Sequence, residues 1–197
     1  MARPRHDPTA PSTPSRILTA ARAQFAAHGF ARARLADIAR GAGIRRPSLL
    51  YHFPTKDDLY RAVVAEAFAS LGAAMLPALT ADGTVQARLE SLVRHYVGFF
   101  DANPAVARIV VHELLGDEGP GQAILLEQVA PLLDRVQAFV DGTAALADGV
   151  PSRAAILHVA TNALLRAASG PLRDPLWGAA ATPDSAWAVA RALLWRD

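Results

Sequence analysis

From residue 15 onward the apolar residues recur at helical spacing, and no stretch alternates apolar with polar positions long enough for a strand. The longest β-branched run, Ile109-Val110-Val111, is too short to outweigh its helical neighbours. Ser15, after Pro14, is placed to cap a helix with Ile17, Ala21 and Phe25 on its apolar side and Leu18 beside them, and Gly29 closes it. A short helix is predicted near Leu35–Ala42, with glycines at 41 and 43. Another starts at Arg46 or Pro47 and ends by Phe53, since Pro54 disfavours helical geometry in the residue before it. Thr55-Lys56-Asp57-Asp58 has capping-box spacing and opens a long helix with Leu59, Ala62, Val63, Ala67 and Leu71 inward, reaching Pro77. Further helices are predicted near Gln86–Asp101, Pro104–Leu115, Gly121–Asp141, Ser152–Ser169 and Pro183–Trp195, the Asn103-Pro104 and Thr182-Pro183 steps being good starts. Between them Thr80–Thr84, Gly116–Pro120, Asp148–Pro151 and Gly170–Ala181 are predicted linkers. The expected fold is all-α: three short helices, one long connector and a larger carboxy-terminal bundle.

Composition narrows the function classes. The chain has 197 residues, of which 52% are hydrophobic, enough to bury a core unaided. There is no cysteine, which excludes disulfides, a thiolate nucleophile and cysteine-ligated metal. The longest uncharged apolar stretch, Ala67–Ala81, contains Pro77 and falls short of the ~20 residues of a membrane span. Residues 1–14 carry four prolines, Arg3, Arg5, His6 and Asp7 with no apolar run, unlike a signal peptide, and are expected to be a disordered arm. Arg3-Pro4-Arg5 is a candidate for minor-groove contact from that arm. A soluble, cytoplasmic protein is the expectation.

The overall charge of +2 conceals an asymmetry. Residues 1–61 hold eleven Lys and Arg against four Asp and Glu, a balance of +7; the remainder holds nine against fourteen, a balance of −5. A basic amino-terminal third on an acidic remainder suits a polyanionic partner at one end only. In that third, Ile38 to His52 has the spacing of a helix-turn-helix. Two helices crossing steeply over a short turn need a small residue where they touch and a residue tolerant of positive φ in the turn. Ala39 and Gly43 supply these, with Ile38, Ala42, Ile44 and Leu49 as apolar anchors. Arg45, Arg46, Ser48, Tyr51 and His52 are left as outward candidates for the major groove, where Arg bonds guanine and smaller groups meet phosphates or thymine methyls.

Residues 15 to about 65 resemble the amino-terminal domain of the tetracycline-repressor (TetR) family of bacterial transcriptional regulators. Leu35-Ala36-Asp37-Ile38-Ala39-Arg40-Gly41-Ala42-Gly43-Ile44 resembles its first helix-turn-helix half. Pro47-Ser48-Leu49-Leu50-Tyr51-His52-Phe53-Pro54-Thr55-Lys56-Asp57-Asp58-Leu59-Tyr60 resembles its recognition helix and the start of its fourth helix. The resemblance implies a groove-facing surface at or near Pro47, Ser48, Tyr51 and His52, and a DNA phosphate contact by Lys56, the only lysine in the chain. Two positions depart from the family pattern. Ala33-Arg34 stands where a Thr or Ser usually caps the second helix, costing about 1 kcal/mol and making Arg34 a phosphate-contact candidate instead. Leu50 replaces a common Tyr, so the operator cannot be inferred from better-known members. The implied organisation is an arm at 1–14, a helix-turn-helix domain at 15–61 and a ligand-binding and dimerisation domain at 62–197. A homodimer is implied through the helices near 152–169 and 183–195, with Ile156, Val159, Ala160, Ala163, Leu164 and Ala167 on one apolar face and Trp187, Val189, Ala190, Leu193, Leu194 and Trp195 on the other.

The implied function is a sequence-specific regulator of double-stranded operator DNA, a repressor released by a small-molecule effector held in the bundle. Polar groups embedded in apolar helices are the pocket candidates: His95, Tyr96, Arg108, His112, Glu113, His158 and Asn162, with Phe99 and Phe100 as walls. The alternative is a helical protein without an effector, binding DNA constitutively or architecturally. Enzymatic signatures are missing: His112-Glu113 lacks the second histidine of a zinc-protease helix, Gly41-Ala42-Gly43 is followed by Arg46 where a dinucleotide fingerprint needs glycine, and no G-x-S-x-G exists. His95, His112 and His158 lack metal-ligand spacing, so neither a metal nor a cofactor is expected.

Overall fold

The computed structural model describes residues 11–80, 82–116, 120–142, 149–178 and 182–194, and these contain helices without a strand. The helices are α1 (Thr13–Arg32), α2 (Leu35–Gly41), α3 (Arg46–His52), α4 (Lys56–Thr80), α5 (Val85–Ala102), α6 (Pro104–Leu115), α7 (Pro120–Asp141), α8 (Ser152–Ala168), α9 (Arg173–Trp177) and α10 (Pro183–Leu194). Two compact units divide the chain, Met1–Val63 and Val64–Asp197, the boundary falling inside α4.

In the first unit, α1 begins earlier than its spacing predicts. Ser12, not Ser15, is the N-cap: its hydroxyl accepts from the Ser15 N–H at 3.3 Å, and Pro14 sits in the first turn. Thr13 and Pro14 are thus helical rather than part of an arm; the Arg3-Pro4-Arg5 segment lies outside the described residues. Gly29 does break the helix, at φ 68°, and one further turn runs on to Arg32. Ile17, Ala21, Phe25, Ile38, Leu49, Leu59, Tyr60 and Val63 form the buried core. Tyr60 meets Phe25 edge-on at 4.8 Å and Phe30 at 5.1 Å, locking the end of α1 to the start of α4. The capping box closes both ways: the Asp58 N–H donates to the Thr55 hydroxyl (3.0 Å) and the Thr55 N–H to the Asp58 carboxylate (3.2 Å).

In the second unit α8 is the hub, packing on α5, α6, α7 and α10. One core cluster joins Leu71 and Met75 of α4 with Leu92, Phe100, Val110 and Leu164; a second joins Leu89, Val140, Ala155, Trp187 and Ala190. By length and composition Lys56–Leu79 would pass for a membrane span, but its apolar positions Leu59, Val63, Ala67, Leu71, Met75 and Ala78 are buried within the protein. The helix also runs through Pro77 to Thr80, sacrificing only the bond to the Ala73 carbonyl one turn from its end. Asn103 precedes Pro104 as expected, yet its side-chain amide donates back to the Phe99 carbonyl (2.8 Å) and so closes α5 rather than opening α6. The predicted linker Gly170–Ala181 contains structure: a 3-10 turn at Gly170–Leu172 and then α9. Pro171 and Pro175 hid it, since both sit in first turns, where proline is tolerated.

Candidate functional site

The turn between α2 and α3 is built by backbone hydrogen bonds that need Gly43. The Ile44 N–H donates to the Ala39 carbonyl and the Gly43 N–H to the Arg40 carbonyl, each at 3.0 Å, the paired closure of a Schellman motif. Gly43 lies at φ +66°, and a Cβ there would come within 2.8 Å of the Arg16 guanidinium, which donates to the Ala42 carbonyl. Ala39 is buried at the contact, and Gly41 lets α2 approach Ala20 of α1 so closely that a Cβ would sit 3.3 Å away.

With the turn set, α3 has an unambiguous inner side. Leu49 is fully buried and Leu50 half-buried, while Arg45, Arg46, Pro47, Ser48, Tyr51 and His52 are all exposed. Tyr51 is 84% exposed, and its ring touches that of His52 edge-on at 5.3 Å. A tyrosine left so wet on a seven-residue helix contributes little to packing. Arg34 occupies the N-cap of α2 without a side-chain cap bond, as the departure from Ser or Thr implies, and is exposed. Lys56 is placed differently from its exposed neighbours. Its Nζ donates to the Ala31 carbonyl at 3.0 Å and lies 4.7 Å from the centre of the Phe30 ring. Burial against these groups lowers its pKa from the ordinary lysine value, the nearby Asp57 partly opposing the shift.

A cavity of about 390 Å³ opens among α4, α5, α6, α7 and α8 in the second unit. Leu71, Leu92, Val110, Leu132, Ile156 and Leu164 represent its walls, and all its lining residues except Tyr96, Arg153 and Thr161 are apolar. Of the nine pocket candidates, Tyr96 and Phe100 line it. His95 is exposed, its Nδ1 donating to the Ser91 carbonyl (2.7 Å) one turn back. Arg108 turns to the Ala168 carbonyl (3.0 Å) at the end of α8, His112 is exposed, and Glu113 packs where a Cβ on Gly121 would stand. Phe99 packs against the core from outside the cavity wall. His158 and Asn162 face a separate, more polar depression of about 340 Å³ with Arg166, Trp177 and Thr182. Most of the polar candidates thus bond a backbone carbonyl or face water.

Several residues of the expected dimer faces take part in packing within the chain. Ala163, Leu164 and Ala167 are buried within the chain, Ile156, Val159 and Ala160 line the cavity, and Trp187 and Ala190 belong to the second core cluster. Leu193, Leu194 and Trp195 lie outside the described side chains. Among the described residues, the large apolar side chains that remain exposed on these helices are Leu157 and Leu165 on α8 and Val189 on α10. A helical stripe reports that it will be covered, and says nothing about whose chain covers it.

Also missed was the tie between α5, α8 and α9. Arg166, nearly inaccessible, donates through one nitrogen to both Asp101 carboxylate oxygens at 2.7 Å, and Arg173 approaches the same carboxylate at 3.4 Å. An arginine inside Ala163-Leu164-Leu165-Arg166-Ala167 was the available signal.

Residues 17–63 match the profile of bacterial regulatory proteins, tetR family. The HTH-type transcriptional regulator RutR of Escherichia coli K12 is 31% identical over 133 residues, 68% of this chain; the match spans 59% of RutR, about three-fifths of the curated relative's length. The ketosteroid transcriptional regulator KstR2 of Mycobacterium tuberculosis has the same fold, with a TM-score of 0.74 over 98% of this chain and 100% of its own at 17% identity. A TetR-like transcriptional regulator from Rhodococcus sp. RHA1 gives a TM-score of 0.72 over 93% and 97% of the two chains, also at 17% identity. With the helix-turn-helix geometry, the profile match shows that residues 17–63 are a domain of the tetR family of bacterial regulatory proteins, and the two solved regulators share the fold of the chain.

Proposed function

We propose that this chain is a DNA-binding transcription regulator rather than an enzyme: a cytoplasmic homodimeric repressor that a small-molecule effector releases from its operator. The observation that carries the reading is the surface of α3. Arg45, Arg46, Pro47, Ser48, Tyr51 and His52 lie exposed behind the fully buried Leu49, on the part of the chain whose charge balance is +7. Arg46 and Tyr51 read base edges, and Arg34, Arg45, Ser48 and Lys56 contact phosphates. The bond from Lys56 to Ala31 uses one of three ammonium donors and orients the others, so it is compatible with a phosphate contact. Residues 15–61 form the DNA-binding domain and 62–197 the effector and dimerisation domain. Two copies join through the helices near 152–169 and 183–195, with Leu157, Leu165 and Val189 at the contact. Their heads then reach half-sites about one helical turn, roughly 34–36 Å, apart. Effector in the bundle cavity favours an arrangement with the heads wrongly spaced.

Selection of binding sites from random duplex DNA by the purified protein, at two salt concentrations, tests this. An inverted repeat that survives the higher salt is expected. Binding without an enriched motif, collapsing as salt rises, would leave only a basic head of the architectural kind. Lys56→Ala should then weaken binding equally on all sequences and flatten the salt slope by ~1.

A further inference from the structure

We propose that the bundle cavity takes an uncharged, mainly hydrocarbon molecule carrying one hydrogen-bond acceptor, which the Tyr96 hydroxyl engages; the proposal rests on the effector reading above. At about 390 Å³ the space lies within the ~300–1,000 Å³ typical of small-molecule sites. Its walls offer almost nothing polar. Thr161 is already bonded, its hydroxyl donating to the Leu157 carbonyl at 2.7 Å. Arg153 is the one cation among the described lining residues, and it is exposed and matched: it donates to the Asp134 carboxylate at 2.7 Å and to the Gln137 side chain at 3.0 Å. A ligand anion at the rim would share this water-exposed guanidinium with the Asp134 carboxylate, and a charge placed deeper would be stripped of water with no counterion among the described lining residues.

Tyr96 is the remaining polar group, and it is underused. Its hydroxyl reaches the Ala160 carbonyl only at 3.5 Å, well beyond the usual 2.5–3.0 Å of an O–H···O bond. The ring is held by an edge contact with Phe100 at 4.9 Å. Burial pushes the phenol pKa up, so the group stays a donor at any physiological pH. A fixed, protonated donor in an apolar chamber selects a ketone, ester or ether oxygen over a second donor or an anion. Leu114 and Leu126, lining the cavity yet exposed, give the rim the same apolar character.

The test uses the full chain and a matched pair of fluorescent probes, N-phenyl-1-naphthylamine and its 8-sulfonate, which differ by one charge. The neutral probe should bind at least about tenfold more tightly, and Ala160→Phe, which fills the cavity, should abolish the signal. 2-Undecanone should displace the neutral probe from the native chain about fivefold better than from Tyr96→Phe, which keeps the ring and loses only the donor. Equal or tighter binding of the sulfonate overturns the ligand class while leaving an effector site standing. Unchanged displacement from Tyr96→Phe overturns the role of Tyr96. If neither probe binds, cavity and effector readings fall together. Should the neutral compounds bind while operator affinity does not change, the ligand chemistry holds and the effector reading fails.

Discussion

Arginine serves two purposes in this chain, and the two units use them in different proportion. Some guanidinium groups stay free at the surface, and others are tied to a carboxylate or carbonyl, as Arg40 is to Asp37 in the first unit. In Met1–Val63 the guanidinium groups of Arg34, Arg45 and Arg46 lie at the surface, and Arg16 is turned to a backbone carbonyl at the helix-turn-helix. In Val64–Asp197 arginines are drawn against carboxylates and carbonyls: Arg166 to Asp101, Arg94 to Glu90 and Asp184, Arg108 to the Ala168 carbonyl. A cation left in water keeps its hydration at little cost and remains available to a polyanion. One withdrawn from water must be matched on the spot, and it then acts as a tie between helices. Residue type is the same in both units; surroundings decide whether it recognises or braces.

Four substitutions would break or sharpen that contrast. Asp101→Ala leaves Arg166 buried without its carboxylate and should lower the unfolding free energy by about 3–5 kcal/mol in urea titration. A loss below about 1 kcal/mol would make this pair no more than a surface bridge. Arg46→Ala should leave stability unchanged and weaken DNA binding by about 1–3 kcal/mol at a single base pair, read by competition among operator variants. Equal losses on every sequence would move Arg46 to the phosphate contacts. Gly43→Ala forces a side chain into the left-handed region beside Arg16, and about 1–2 kcal/mol of stability should be lost. The smallest effect runs the other way. Arg34→Ser restores a side-chain cap to α2 and should gain about 1 kcal/mol in thermal or urea unfolding. If Arg34 also touches phosphate, the same variant binds DNA with a shallower salt slope.

How much was legible follows the distance over which each feature is decided. The Thr55–Asp58 capping box, the positive φ of Gly43 and the bounds of α3 depend on residues a few positions apart, and the structure has them where the spacing put them. The cap of α1 slipped by three residues because Ser12 and Ser15 both lie near Pro14, and the geometry of the turn chose Ser12 as the cap. In the bundle, the cavity is walled mainly by leucine and valine, and of the candidates Tyr96 and Phe100 line it. His95 and Arg108 satisfied themselves on carbonyls one turn or sixty residues away, and only the carbonyl one turn away is visible in local sequence.

The sequence by itself determined that the chain is helical, that a basic helix-turn-helix lies at its amino end, and which side of α3 is turned outward. Those properties rest on periodicity, capping and the steric freedom of glycine, all local. Tertiary structure alone decided that the apolar stripe of α8 faces the cavity of its own chain, that Arg166 finds Asp101, and that Tyr96 is the underused polar group among the described residues lining that cavity. Apolar burial is non-directional, so a stripe of alanine and leucine carries no address. Only the packed arrangement of five helices says which neighbour covers it.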